Sequence, residues 1–160
     1  MDATTNAEDP TVDLLRHLAF ERIAPQWAGF LGVLGGALQS QLSAQEFRQF
    51  LSRLGEQFAN ESPLPAVNDL AGLEKAVNRF WFDRQWGVVM FTDLGGSLRL
   101  DHKGCPLPAA LQVDAEMAGG FLEGAYGVWL AAVGAPSQLV LKQLPASGLP
   151  MHVAFELKAD

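Results

Sequence analysis

Residues 117–134, MAGGFLEGAYGVWLAAVG, decide how the rest of the chain must be arranged. Wound as a helix, this segment is apolar on every side and Glu123 is its one charge. Gly119, Gly120, Gly124 and Gly127 remove side chains where a neighbour can come close. A helix apolar all round is a buried one. Each interior glycine costs roughly 1 kcal/mol relative to alanine, so the helix is weak alone and needs close packing on two sides. The flanking sequence must supply both covers.

Outward from this rod, the chain changes period on each side. Upstream, WGVVMFT (86–92) is β-branched and aromatic, DLGG (93–96) is turn material, and 97–102 sets Leu98 and Leu100 inward against Arg99 and Asp101 outward. That pattern predicts a hairpin. A loop over 103–114, with Gly104, Pro106 and Pro108, ends at Asp114, a cap for the central helix. Downstream, 138–144 reads as a third strand. In the fourth, Met151, Val153, Phe155 and Leu157 alternate with His152, Ala154, Glu156 and Lys158.

Three helices precede the hairpins. The first is expected from about Val12 to Leu42, capped by Thr11 and kinked at Pro25, where a backbone donor is lost. Val12, Ala19, Ile23, Phe30 and Leu34 form its core stripe, with Phe20, Trp27, Leu31 and Leu38 beside it. Leu14, Leu15 and Leu18 fall on the opposite side and need a cover of their own, either the central helix or another copy of the chain. Ser43 and Glu46 have capping-box spacing and open the second helix. It carries Phe47, Phe50, Leu51, Leu54 and Phe58. Pro63 and Pro65 mark a connector, and a third helix from about Asn68 carries Leu70, Leu73, Val77, Phe80 and Trp81. The fold class is therefore α+β: three helices, a hairpin, the buried glycine-rich helix and a second hairpin, with helices covering a four-stranded antiparallel sheet. Residues 11–160 make a single domain behind a flexible acidic arm, 1–10.

Composition narrows the function. The net charge of −7 argues against nucleic acid, whose phosphates need a basic patch. With 49% apolar and only 18% charged residues, part of the surface is expected to lie against other protomers. The acidic, polar start is unlike a secretory signal, and the lone Cys105 permits no internal disulfide, so a reducing, cytoplasmic location is expected. The central segment falls short of the roughly 20 apolar residues that cross a bilayer.

No catalytic constellation stands out. His102 and Cys105 could form a nucleophile pair or half a zinc site, but zinc takes four ligands and no second close pair exists. Glu123 could serve as an acid, although a glycosidase needs a second carboxylate at about 5–10 Å and neither Asp101 nor Asp114 has a recommending position. Hydrogen bonds from a neighbouring helix end, or from an arginine such as Arg79 or Arg84, suit it better. Trp27, Phe80, Trp81, Trp86, Tyr126 and Trp129 could stack on sugars, yet their helical and strand stripes place them in a core. No metal or cofactor is expected.

Several short motifs, in this order, resemble the D subunit of bacterial cellulose synthase complexes. They are Trp81-x4-Trp86-Gly87 running from helix into strand, Leu98-x-Leu100-x-His102, and Phe121-Leu122-Glu123-Gly124 followed by Tyr126 and Trp129. The likeness covers about 12–158. It implies a noncatalytic accessory subunit in the cytoplasm near the inner membrane, built of dimers that close into an octameric ring. Passages in that ring guide nascent β-1,4-glucan and help align synthase complexes for crystalline cellulose, with a scaffold protein as a further partner. Leu14, Leu15 and Leu18 become candidate oligomer contacts; Gly120, Glu123, Gly124, Tyr126, Trp129, Trp86 and Gly87 become packing residues. The element order is also similar to four-vinyl-reductase and vesicle-tethering domains, which hold a small apolar ligand or lipid, although the clustered cysteines of the zinc-bearing versions are missing.

Overall fold

Asp114 accepts the Met117 amide at 2.7 Å and starts the central helix, α6 (Ala115–Ala132), in which ten residues from Ala118 to Leu130 are buried. In the computed structural model, which describes residues 9–160, α6 is gripped on one side by a helix and on the other by a sheet. The acidic arm is expected to span 1–10, and its first eight residues lie outside the described ones.

The helical cover is α3 (Ala44–Glu61), begun by a complete capping box in which Ser43 Oγ takes the Glu46 amide and the Glu46 carboxylate takes the Ser43 amide. The two helices meet backbone to backbone. A Cβ on Gly124 would stand 2.0 Å from the Ser52 carbonyl oxygen, and a Cβ on Gly55 would stand 1.9 Å from that of Phe121. Gly120 faces the Arg48 carbonyl at 2.8 Å in the same way. Gly120 and Gly124 therefore face α3, where Gly55 supplies the matching notch, while Gly119 lies under the Gln143 side chain.

Helix α4 (Leu70–Arg84), capped by Asp69, buries Leu73, Val77 and Trp81 and ends on Gln85 in the left-handed region. Strands β1 (Val88–Asp93), β2 (Leu98–Lys103), β3 (Leu139–Gln143) and β4 (His152–Ala159) form an antiparallel sheet in the order β1-β2-β4-β3. Leu100 lies opposite Phe91 and Phe155, and His102 opposite Val89 and Val153, so the face bearing these residues packs on α6. Gly87, at φ +88°, sits where a Cβ would stand 2.0 Å from the Lys103 carbonyl; only glycine brings β1 this close to the end of β2. The outer edge of β1 is closed by side chains. Asn78 Nδ2 donates to the Val89 carbonyl and its Oδ1 accepts the Val89 amide, both at 2.8 Å, while Glu74 accepts the Phe91 amide.

Five expectations need correction. The first helix is two, α1 (Pro10–Glu21) and α2 (Pro25–Gln41), since the residue before proline is pushed out of the helical region and Ala24 has ψ 126°. Its start is Pro10 capped by Asp9, with proline in the first turn where its missing N–H is harmless. Phe30 and Leu34 are exposed instead of forming a core stripe. The loop over 103–114 contains a short helix, α5 (Leu107–Leu111), which again begins beside proline. Asp101 is also buried: on the outer face of the sheet it takes two bonds from Arg99 (2.8 and 3.0 Å) and one from His152.

Candidate functional site

Four features outside ordinary core packing could carry function: an uncovered helical face, a charged groove, a buried polar chain and a largely apolar cavity.

The uncovered face belongs to α1 and α2. Between Pro25 and Gln41 there is no charged residue at all, and the one buried position is Gly35, whose missing Cβ lets the Leu111 carbonyl approach. Ala28, Leu31, Gly32 and Leu38 are half-buried, and the other residues of α2 stay open. Leu14 and Trp27 are 56% exposed, Phe30 59% and Val33 75%, with Leu18, Phe20 and Leu34 also exposed and Leu15 half-buried. Trp27 and Phe30 meet edge to face with ring centroids 6.2 Å apart. α6 lies across α3, so the central helix does not cover Leu14, Leu15 and Leu18. Sequence reasoning marks these leucines but places Phe30 and Leu34 in the core. The signal for the larger patch is the absence of charge from 25 to 41.

The groove opens where the start of α6, α3 and the end of β3 meet. It has a volume of about 480 Å³ and is lined by Arg48, Glu116, Glu123, Lys142 and Gln143 together with residues 144–146. Glu123 Oε2 accepts from Arg48 Nη2 at 2.7 Å and from the Gln143 amide at 3.2 Å. The partner expected from sequence, Arg79 or Arg84, is corrected: Arg79 pairs with Asp83, and Arg84 lies over the Phe80 ring. An ion pair between residues so far apart in the chain leaves no local pattern to read. Gln143 covers Gly119, its Nε2 donating to the Ala115 carbonyl at 3.4 Å and its buried Oε1 having no partner.

The buried chain runs through the motifs. Trp81 Nε1–H donates to Tyr126 Oη at 3.0 Å, so the phenol O–H donates to His102 Nδ1 at 2.6 Å, and His102 Nε2–H donates to the Trp86 carbonyl at 2.7 Å. Every donor and acceptor is used once, which fixes the neutral histidine tautomer. Burial lowers the His102 pKa to about 4 and pushes the Tyr126 phenol well above its ordinary value. Trp81, Trp86, Trp129, Phe80 and Phe121 stack around Phe58 and Tyr126. Of the six candidate stacking aromatics, five are in this cluster and Trp27 stands apart on the open face. Cys105 is fully buried and its thiol is pushed up to about 12 by that burial, so it offers no thiolate near neutrality. On the outer face, Ser147 Oγ bonds His152 Nδ1 at 2.7 Å and His152 Nε2 bonds Asp101 at 2.9 Å, an arrangement that pins the β3–β4 loop.

A cavity of about 610 Å³ lies between α1, α5 and the β3–β4 loop, with Phe20, Val113, Leu149 and Pro150 on its walls and Arg16 and His17 at one side. No described helix is long and apolar enough to cross a membrane.

Compared with known proteins, residues 13–155 match the family model of the cellulose synthase D subunit. No curated protein matches. Among solved structures, the chain is similar to a trafficking protein particle complex subunit 3 from Naegleria fowleri, covalently bound to palmitic acid. The identity there is 10%, with 92% of this chain and 96% of that chain covered, at a TM-score of 0.49.

Proposed function

The chain belongs to the D-subunit family of cellulose synthase, and from that premise we propose that copies of it join through the bare face of α1 and α2 into dimers and then an octameric ring. Its part in cellulose synthesis is that of an accessory subunit. In this reading the ring lies in the cytoplasm near the inner membrane, performs no bond-making chemistry, and leads nascent β-1,4-glucan through its passages. A scaffold protein and the synthase complex are its neighbours.

The observation that carries the reading is the uncharged, exposed surface of α2, together with the exposed Leu14 and Leu18 on α1. Exposed apolar patches of this extent mark association sites. Guiding a polymer needs weak, repeated contacts, since tight binding would stop the chain from sliding. Replacing Leu14, Leu15 and Leu18 together with serine is expected to lower the mass in light scattering while the helical circular dichroism persists. An unchanged mass would remove α1 from the contact. Loss of cellulose crystallinity in cells lacking the chain tests the role itself.

A small apolar ligand is the second reading, favoured by the largely apolar cavity beside Phe20 and Leu149. Native mass spectrometry separates the two: a large, ligand-free assembly supports the ring, and a small oligomer retaining an apolar molecule supports the alternative.

A further inference from the structure

We propose that Ser147, His152 and Asp101 form a hydrolytic triad that cleaves carboxylic esters carrying an apolar acyl chain. In the accessory role above the ring performs no bond-making chemistry; this inference amends that one point, and assembly stands or falls without it.

Geometry carries the assignment. Ser147 lies on the loop between β3 and β4, His152 opens β4, and Asp101 is on β2. Ser147 Oγ–H donates to His152 Nδ1 at 2.7 Å, and His152 Nε2–H donates to Asp101 Oδ1 at 2.9 Å. Nucleophile, base and orienting carboxylate are thus each within hydrogen-bond reach of the next. The ring nitrogens exchange the places they hold in the serine-protease triad, which an imidazole permits because either can carry the proton. Asp101 is buried, and its pKa is lowered chiefly by the Arg99 hydrogen bond, so it stays ionised, fixes the proton on Nε2 and leaves Nδ1 as the base. His152 is largely shielded from water, whereas the serine is exposed. The Leu149 amide donates to Ser147 Oγ at 3.3 Å, which directs the hydroxyl proton to the imidazole.

The neighbouring cavity selects the substrate. Ala146, Gly148, Leu149 and Pro150, on the serine's own loop, line the apolar space of about 610 Å³ together with Phe20 and Val113. Size and lining suit the hydrocarbon part of an acyl group. The amide of Gly148, the residue after the nucleophile, has no acceptor among the described residues and is the donor offered to an oxyanion.

In the reaction Ser147 Oγ bonds to the ester carbonyl carbon as its proton passes to His152 Nδ1. The bond to the alcohol oxygen then breaks, and Nδ1 returns that proton to the leaving alkoxide. Water cleaves the acyl-serine by the same route, so ester and water give acid and alcohol.

The test uses the assembled protein with p-nitrophenyl octanoate and acetate and, separately, a fluorophosphonate followed by peptide mass spectrometry. The octanoate is expected to be hydrolysed with kcat/KM at least about tenfold above that of the acetate, and the phosphonyl adduct to sit on Ser147. Ser147→Ala, on an exposed loop, should lose both while its circular dichroism and its mass in light scattering stay unchanged. His152→Gln should lower kcat about 100-fold or more. Asp101 is a positioning residue, and Asp101→Asn should lower kcat at unchanged KM. Wild-type hydrolysis no faster than that of Ser147→Ala, an adduct on another residue, undiminished turnover by His152→Gln, or preference for the acetate would each overturn the proposal. Assembly mass is scored separately, so the hydrolytic and ring readings can fall one at a time.

Discussion

Helices α6 and α2 are composed alike and meet opposite fates. Both are apolar around their circumference, both carry several glycines, and α2 has even less charge than α6. Yet α6 buries ten residues between Ala118 and Leu130, whereas α2 buries only Gly35. The difference lies in the partners. Gly120 and Gly124 face α3, and Gly55 on α3 answers them; on α2, Gly29 and Gly36 face nothing within 4 Å. Composition states that a helix needs covering, and it leaves open whether the cover comes from the same chain or from another copy.

Four experiments break or sharpen this contrast. The largest effect is expected for Gly124→Leu, because the side chain would push on the Ser52 carbonyl, which a rigid helix cannot move aside. We expect a loss of at least about 3 kcal/mol and a melting temperature roughly 10 °C lower in calorimetry. An unchanged melting temperature would show the seam to be loose.

Acid should attack the same side of the molecule. The buried His102 has its pKa lowered to about 4, against an ordinary 6.5. Above pH 6.5 folded and unfolded chains both carry it neutral, and nothing is gained or lost. As pH falls from 6.5 to 4 the unfolded chain takes up a proton that the folded one refuses, costing on the order of 3 kcal/mol by pH 4. Asp101, whose pKa is lowered chiefly by the Arg99 hydrogen bond, keeps its contribution in this window and loses it only at lower pH. Urea midpoints measured across pH 7 to 4 check the slope, and a flat profile would place His102 in contact with water.

Tyr126→Phe strands the Trp81 N–H and His102 Nδ1 together, and about 2 kcal/mol of stability should go with them in denaturant titration. The smallest effect is expected on α2 and has the opposite sign. Gly36→Ala in open space should raise monomer stability by about 0.5–1 kcal/mol. If the same variant also lowers the assembly mass, Gly36 is a close approach between copies, and α2 becomes between copies what α6 is within the chain.

Much of this is legible in the sequence. The Ser43–Glu46 box, the Asp114 cap, both hairpins and the buried rod all follow from patterns within a few residues, and all are present. What escapes depends on long-range pairing. Nothing near Glu123 announces Arg48, and nothing near Gly124 announces Gly55, since each match is made by two helices distant in the chain. Pro106 and Pro108 read as loop signals although proline also opens helices, and α5 goes unseen for that reason. Phe30 and Leu34 fall on a helical stripe that is real, but the stripe turns outward once Pro25 separates α2 from α1.

The amide of Asn78 bears on how many copies can gather. By occupying both polar groups of Val89 it stands in for a neighbouring strand, and with Glu74 on Phe91 it denies that margin of the sheet to any incoming chain. An unsealed margin invites endless lateral stacking into fibrils. Stoppered there, β1 cannot accept a further strand, and any sideways growth of the sheet is left to its other end, at β3.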